Sequence, residues 1–281
     1  MTPKTSQTTS KPEEREYLLG THAEEYERLG FQHRVWAAPT FELWEAAGFG
    51  PGQRILDLGS GPGFASIDLA YLVGRTGRVI AADASARFLE RLGAVRDALG
   101  LPWIETLQGD VQEIELAESS LEGAFARWCL CFVPRPEVVV ERVARALRPG
   151  GAFVAMDYYR YDSMALSPRS PALERVVLAV IESWRRAGGD LDVASRLPQL
   201  FARSGLEVEL VREVVRVARP GSSLWRWPDF FFANYLPKLV ELGLLAPDER
   251  EAFERDWREH AHDPQAFFST PPVYGIVGRK P

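Results

Sequence analysis

The chain has 281 residues, of which 46% are hydrophobic and 26% charged, and a formal net charge of -6. This composition excludes a mainly disordered or fibrous protein and supplies the core of one large or two ordinary domains. The acidic balance repels phosphate backbones, so no nucleic-acid partner is expected.

In chain order, residues 1–14 are rich in Thr, Ser, Lys and Glu without periodicity and read as a flexible tail. No apolar secretion signal is visible there, and no run of about 18 apolar residues occurs anywhere, so a cytoplasmic protein without stable membrane insertion is expected. Residues 15–52 form an N-terminal helical cover with Leu18, Leu19, Leu29, Trp36, Phe41, Leu43 and Trp44 as its apolar set. Pro39-Thr40 predicts a restart of the helix, and the glycine- and proline-rich stretch Gly48–Gly52 its end.

Residues 53–281 read as an α/β core in which short apolar runs alternate with helical stretches. Strands are predicted at Ile55–Leu58, Val79–Ala82, Ile104–Leu107, Gly123–Cys131 and Ala152–Asp157. Helices are predicted at Phe64–Val73, Ala86–Leu99 and Glu137–Leu147, the last stopped by Pro149-Gly150-Gly151. Two insertions, at about 158–204 and 221–268, interrupt the alternation, and Val208–Val217 and Pro272–Gly278 read as closing strands. Insertions of this size usually build a substrate site. Cys129 and Cys131 would share one face of the fourth strand, too close in sequence for a stabilising disulfide, which suits a reducing compartment.

The chemistry concentrates at strand ends. Ile55-Leu56-Asp57-Leu58-Gly59-Ser60-Gly61-Pro62-Gly63 is a buried strand running into glycines and then a helix, where a ligand can approach backbone N–H groups. A tight packing turn is the alternative. A dinucleotide fingerprint would need a small residue at position 64, which is Phe64, with glycine one place early at Gly63; this weakens a nicotinamide reading. Asp83 ends the second strand, where a carboxylate can accept from both ribose hydroxyls or else cap a helix, although Ser85 is itself a capping residue. Asp110 ends the third strand, where it can meet an adenine amino group or simply hold a turn. Asp57, Asp83 and Asp110 would thus line one sheet edge.

These residues resemble the class I S-adenosylmethionine-dependent methyltransferases of the small-molecule type, including those similar to quinone-biosynthesis C-methyltransferases. The resemblance rests on ILDLGSGPGF, VIAADAS, GDV and RALRPGGAFV, and covers about residues 53–157 most specifically. It implies a Rossmann-like, seven-stranded, mostly parallel sheet with helices on both faces, and S-adenosylmethionine as cofactor. Carried onto this chain, it implies cofactor contacts from Asp57, Gly59, Ser60, Gly61, Gly63, Asp83, Ala84, Asp110 and Val111. The stretch from Tyr17 through Gln32 looks like the family's helical cover, and Tyr17 and Gln32 carry polar groups that can reach the methionine end of the cofactor. Arg127 either holds the cofactor carboxylate or makes a structural salt bridge to an acid such as Asp57.

In this family the end of the fourth strand faces the transferred methyl. Here it reads Phe125-Ala126-Arg127-Trp128, without the Pro-Pro motif of adenine- and glutamine-modifying relatives, and Arg127 and Trp128 are poor magnesium ligands. No metal is expected. Aromatic residues crowd the cover and both insertions, which suits a flat, lipophilic, aromatic or polyketide-like acceptor methylated on oxygen or carbon. Candidate bases are His22, His33, Asp157 and Tyr158. The rival functions are a cofactor-binding regulatory protein without turnover and a nicotinamide-dependent oxidoreductase.

Overall fold

The computed structural model describes residues 23–281, so the expected tail and the start of the helical cover lie outside the described residues. The cover is one helix, α1 (Ala23–Ala46), with Pro39 inside it rather than starting a second helix. Proline removes the N–H that would bond the carbonyl of Val35. The Arg216 guanidinium, from far along the chain, donates to that carbonyl instead. The expected restart therefore does not occur, because the missing rung is satisfied from outside the helix.

The alternation follows as β1 (Arg54–Leu58), α2 (Phe64–Val73), β2 (Arg78–Asp83), α3 (Ala86–Leu99), β3 (Ile104–Gln108), β4 (Leu121–Arg127), α4 (Pro136–Ala146) and β5 (Leu147–Tyr158). The first insertion holds β6 (Ala165–Ser167), α5 (Pro171–Arg186) and α6 (Leu197–Arg203). Then come β7 (Glu207–Val214), β8 (Val217–Ala218), α7 (Arg226–Glu241), α8 (Pro247–His262), β9 (Phe267–Ser269) and β10 (Val273–Arg279). The main sheet has seven strands in the order β3-β2-β1-β4-β5-β10-β7; β1 to β5 pair in parallel, and β10 runs antiparallel to both β5 and β7. This is the expected α/β class.

Helices cover both faces, as the register demonstrates. Ala124 of β4 pairs with Phe153 of β5, so Phe125 points to the opposite face from Phe153. Phe125 meets Trp44 of α1 edge-on at 5.2 Å, whereas Phe153 stacks on Phe201 of α6 at 4.9 Å. Two-sided burial explains why β1, β2 and β5 read as nearly continuous apolar runs.

Three boundaries differ from the sequence reading. β4 stops at Arg127 because Trp128 takes a left-handed backbone (φ 49°), and a short 3-10 turn, Leu130–Phe132, follows. Cys129 and Cys131 therefore lie beyond the strand, both buried and free. β5 begins directly after α4 and runs through Pro149-Gly150-Gly151, with the Gly150 N–H donating to the carbonyl of Lys280 at 2.8 Å. The predicted Val208–Val217 strand divides: β7 ends at Val214, and Val217 enters a second, three-stranded sheet, β6-β9-β8. Strands of two and three residues carry too little alternation to be legible in advance.

Candidate active site

The C-terminal ends of β1 to β4 open into a cavity of about 320 Å³. The glycine loop forms its floor, with Gly59, Gly61 and Gly63 all at positive φ. A Cβ on Gly61 would meet nothing within 4 Å and would project into open space, so the backbone there is bare to a ligand. Gly59 is tight for another reason: a Cβ would stand 2.8 Å from the Cys129 thiol. Gly63 is off the cavity wall, packed so closely that a Cβ would lie 2.2 Å from Leu92 of α3.

Asp83 ties this floor together. Its Oδ2 accepts from the Gly61 N–H and its Oδ1 from the Ser85 N–H, each at 2.8 Å. Ser85 itself caps α3 by accepting from the Phe88 N–H. Desolvation nonetheless pushes the Asp83 carboxyl above its ordinary range, against the lowering effect of these N–H groups. Asp110 accepts from both the backbone and side-chain nitrogens of Gln112, at 2.9 and 3.1 Å. Ser60, Ala84 and Val111 complete this side of the wall.

On the other side of β1, Arg127 and His33 line the cavity. Arg127 donates to Thr40 Oγ1 and His33 Nδ1, each at 2.9 Å, rather than forming an ion pair with Asp57. Desolvation holds the guanidinium down to about 10, with Asp57 and Asp68 opposing through space. Asp57 is buried and accepts from the Ser66 hydroxyl; burial pushes it up to about 7.

Gln32, Trp128, Phe132 and Trp184 also border a second, aromatic chamber of about 50 Å³. The left-handed Trp128 is held by its N–H to the carbonyl of Met156 and by stacking on Tyr158 at 5.8 Å and Trp227 at 6.3 Å. Tyr161, Phe231, Phe232 and Phe268 add further walls. Arg28 enters this lining already paired with the buried Glu25 at 2.7 Å. Gln32 Oε1 accepts from Arg28 Nη1 and Trp227 Nε1, both at 3.0 Å, which turns its amide nitrogen away from those two donors.

The structure thus brings Gln32, His33, Asp57, Gly59, Ser60, Gly61, Asp83, Ala84, Asp110, Val111 and Arg127 to one cavity, and Tyr158 to the adjoining chamber. Asp157 lines neither. Its carboxylate accepts from the N–H groups of Cys131 and Tyr158 at 3.1 and 3.0 Å, and burial pushes it up to about 7. Tyr17 and His22 lie outside the described residues. Sequence reasoning missed Asp68, Thr40, Arg28, Phe132 and Trp184, none of which stands in a motif. Among the described residues, no three His, Cys, Asp or Glu side chains are grouped to hold a metal ion, and no helix is long and apolar enough to cross a membrane.

Residues 56–155 match a family model described as a methyltransferase domain. The chain is 33% identical over 110 residues to a demethylmenaquinone methyltransferase of Desulfitobacterium hafniense, covering 38% of this chain and 43% of that protein. It is 29% identical over 182 residues to a 2-phytyl-1,4-naphtoquinone methyltransferase of Synechococcus elongatus, covering 62% and 72%. The first match spans less than half of that relative. Among solved structures, a SAM-dependent methyltransferase from Aquifex aeolicus superimposes with a TM-score of 0.52 at 15% identity, covering 90% of this chain and 96% of the other. Together with the sheet order and the glycine loop, these likenesses make residues 56–155 similar to the class I S-adenosylmethionine-dependent methyltransferases, whose cofactor is S-adenosylmethionine.

Proposed function

We propose that the protein transfers the methyl group of S-adenosylmethionine to oxygen or carbon of a small hydrophobic acceptor, aromatic or polyketide-like, without a metal and in the cytoplasm. One observation carries this reading: the sheet order β3-β2-β1-β4 lines up Asp110, Asp83, the glycine loop and Arg127 in sequence along one cavity. Three strand spacings cover about 14 Å. A ligand with adenosine at one end and an amino-acid carboxylate at the other matches that row of groups.

The fit is chemical as well as spatial. Asp83 takes backbone N–H groups on both oxygens and retains lone pairs for ribose hydroxyls, whose hydrogen bonds would offset its desolvation. The bare backbone at Gly61 lets the ligand lie close. Arg127, whose charge is matched by no hydrogen-bonded carboxylate among the described residues, suits the carboxylate of the cofactor. When bound, the cofactor supplies an electrophilic methyl on a sulfonium, and the aromatic faces beside it favour that positive charge.

The chain's own contribution is then positioning and exclusion of water. The aromatic chamber holds a flat acceptor against the junction at Gln32 and Trp128. Its lining contains no carboxylate or histidine among the described residues, and desolvation holds the Tyr158 and Tyr161 phenols protonated. Such hydroxyls can donate to an acceptor oxygen. An acceptor that is already electron-rich or acidic, such as an enol or a hydroquinone, therefore suits the chamber. The naphtoquinone named for one relative belongs to a compatible class.

The test is calorimetry with S-adenosylhomocysteine and NAD, followed by transfer of labelled methyl from S-adenosylmethionine to an acceptor library in excess chelator. Binding of the nucleoside and methylation of a hydrophobic acceptor are expected. Binding of NAD alone would overturn the cofactor assignment; cofactor binding without any transfer would favour a regulatory binder; and rescue of lost activity by magnesium would remove the metal-independent part.

A further inference from the structure

His33 of α1 stands between two charged side chains from other elements. Its Nε2 lies 2.8 Å from Asp68 Oδ2 on α2, and its Nδ1 lies 2.9 Å from Arg127 Nη2 on β4. A guanidinium only donates, so Nδ1 must accept and carry no proton, and the proton of the neutral ring sits on Nε2, facing Asp68. Arg127 Nη1 is held at the same time by Thr40 Oγ1, one of α1's own residues. One helix therefore grips both terminal nitrogens of the guanidinium.

We propose that His33 is a positioning residue whose neutral ring fixes Arg127 to receive the cofactor carboxylate, and that a proton on Nδ1 releases Arg127 and so couples cofactor affinity to pH. This rests on the reading of Arg127 as the carboxylate's partner. With Nδ1 protonated, two cationic donors would face each other across 2.9 Å, so the hydrogen bond is lost and replaced by repulsion.

The surroundings bias the ring toward neutrality. Burial lowers its pKa most, Arg127 and Arg34 lower it further, and Asp68 opposes them. Asp57 lies behind Arg127 and acts on the guanidinium, while the Phe64 ring stacks on the imidazole at 5.9 Å and carries no charge. Asp68 is 31% exposed, which gives the pair contact with solvent protons. The sign follows: the ring is neutral and Arg127 is held at neutral pH and above, and the grip is lost as pH falls through the depressed His33 pKa.

The experiment is S-adenosylhomocysteine affinity of the full chain by calorimetry between about pH 5 and 8.5, with folding checked by circular dichroism. In the wild-type protein, affinity should fall by up to about tenfold per pH unit below the His33 pKa, as release of a single proton requires. His33→Asn offers an amide oxygen near the place of Nδ1 but cannot titrate. It should weaken binding by less than about tenfold at pH 8 and remove the acidic fall. His33→Leu has no acceptor and should bind weakly across the whole range. A flat wild-type profile, or an acidic fall that survives unchanged in a folded His33→Asn protein, would overturn the proposal. No binding by the folded wild type at pH 8 would instead overturn the cofactor assignment on which it rests.

Discussion

The two adjoining hollows are built in opposite ways. The larger takes most of its polar groups from positions at the ends of four neighbouring strands, with Gln32 and His33 added from α1, and Asp83 and Asp110 are held there by N–H groups within a few residues or on the next loop. The smaller collects aromatic rings from the turn after β4, the end of β5 and the turn beyond it, α5, α7 and β9, and takes Arg28 and Gln32 from α1. Local backbone geometry makes the first; docking of remote segments makes the second. A family can therefore keep one nearly constant while rebuilding the other, and damage to each should register in a different observable.

The largest effect should come from Arg127→Met, which removes the cation facing the cavity and leaves the aromatic walls in place. Loss of one partner of a desolvated charge pair costs about 2–5 kcal/mol, so S-adenosylhomocysteine affinity measured by calorimetry should drop roughly thirtyfold or more. Unchanged affinity would break the division of labour between the two hollows.

Asp157 tests the opposite side, because it supports the chamber through the backbone of Tyr158 and Cys131. Its native pKa of about 7 lies above the ordinary aspartate value. A raised carboxyl contributes stability that is fully present below about pH 4 and is lost as pH rises through 7, on the order of 4 kcal/mol in all. Thermal melts should show Asp157→Asn losing much less stability than the wild type between pH 4 and 8. Equal slopes would show that this carboxyl is ionised in the native protein without penalty.

Asp83→Ala should weaken S-adenosylhomocysteine by about 1.5–3 kcal/mol, or roughly ten- to hundredfold, through loss of charge-assisted hydrogen bonds. A folded variant with wild-type affinity would reduce Asp83 to a brace for Gly61 and Ser85. The smallest change is expected from Phe231→Leu, which loses stacking on Tyr235 at 5.4 Å but keeps an apolar wall. At about 0.5–1.5 kcal/mol, it should raise the acceptor KM several-fold and leave the S-adenosylhomocysteine Kd alone. A comparable loss in both constants would mean that the hollows are energetically one site.

The same contrast explains what could be read beforehand. Asp57, the glycines, Asp83 and Asp110 sit in contiguous stretches where hydrophobic run, turn and helix follow one another, so strand ends and their chemistry are visible together. Trp128 was visible as an aromatic at a strand end, but not its left-handed backbone, which depends on Tyr158 and Trp227 packing around it. His33 was legible only as a candidate base. Its grip on Arg127 needs α1, α2 and β4 to meet, and no local signal encodes the arrival of Asp68. The small sheet was hidden for a simpler reason: β8 has two residues and β6 and β9 three each.

The proline in α1 divides a continuous rod into two unequal parts. Toward the N-terminus lie Arg28, Gln32 and His33, which touch the two hollows; toward the C-terminus, Leu43 and Trp44 are sunk in the core. What bridges the absent rung is the side chain of Arg216, whose own backbone N–H donates to Thr270 Oγ1 between β9 and β10. The stiffness of the roof is thus set by a strut from the late part of the chain. Cutting it with Arg216→Ala turns the proline into a joint, and amide exchange in residues 25–36 should accelerate while that of residues 41–46 stays slow.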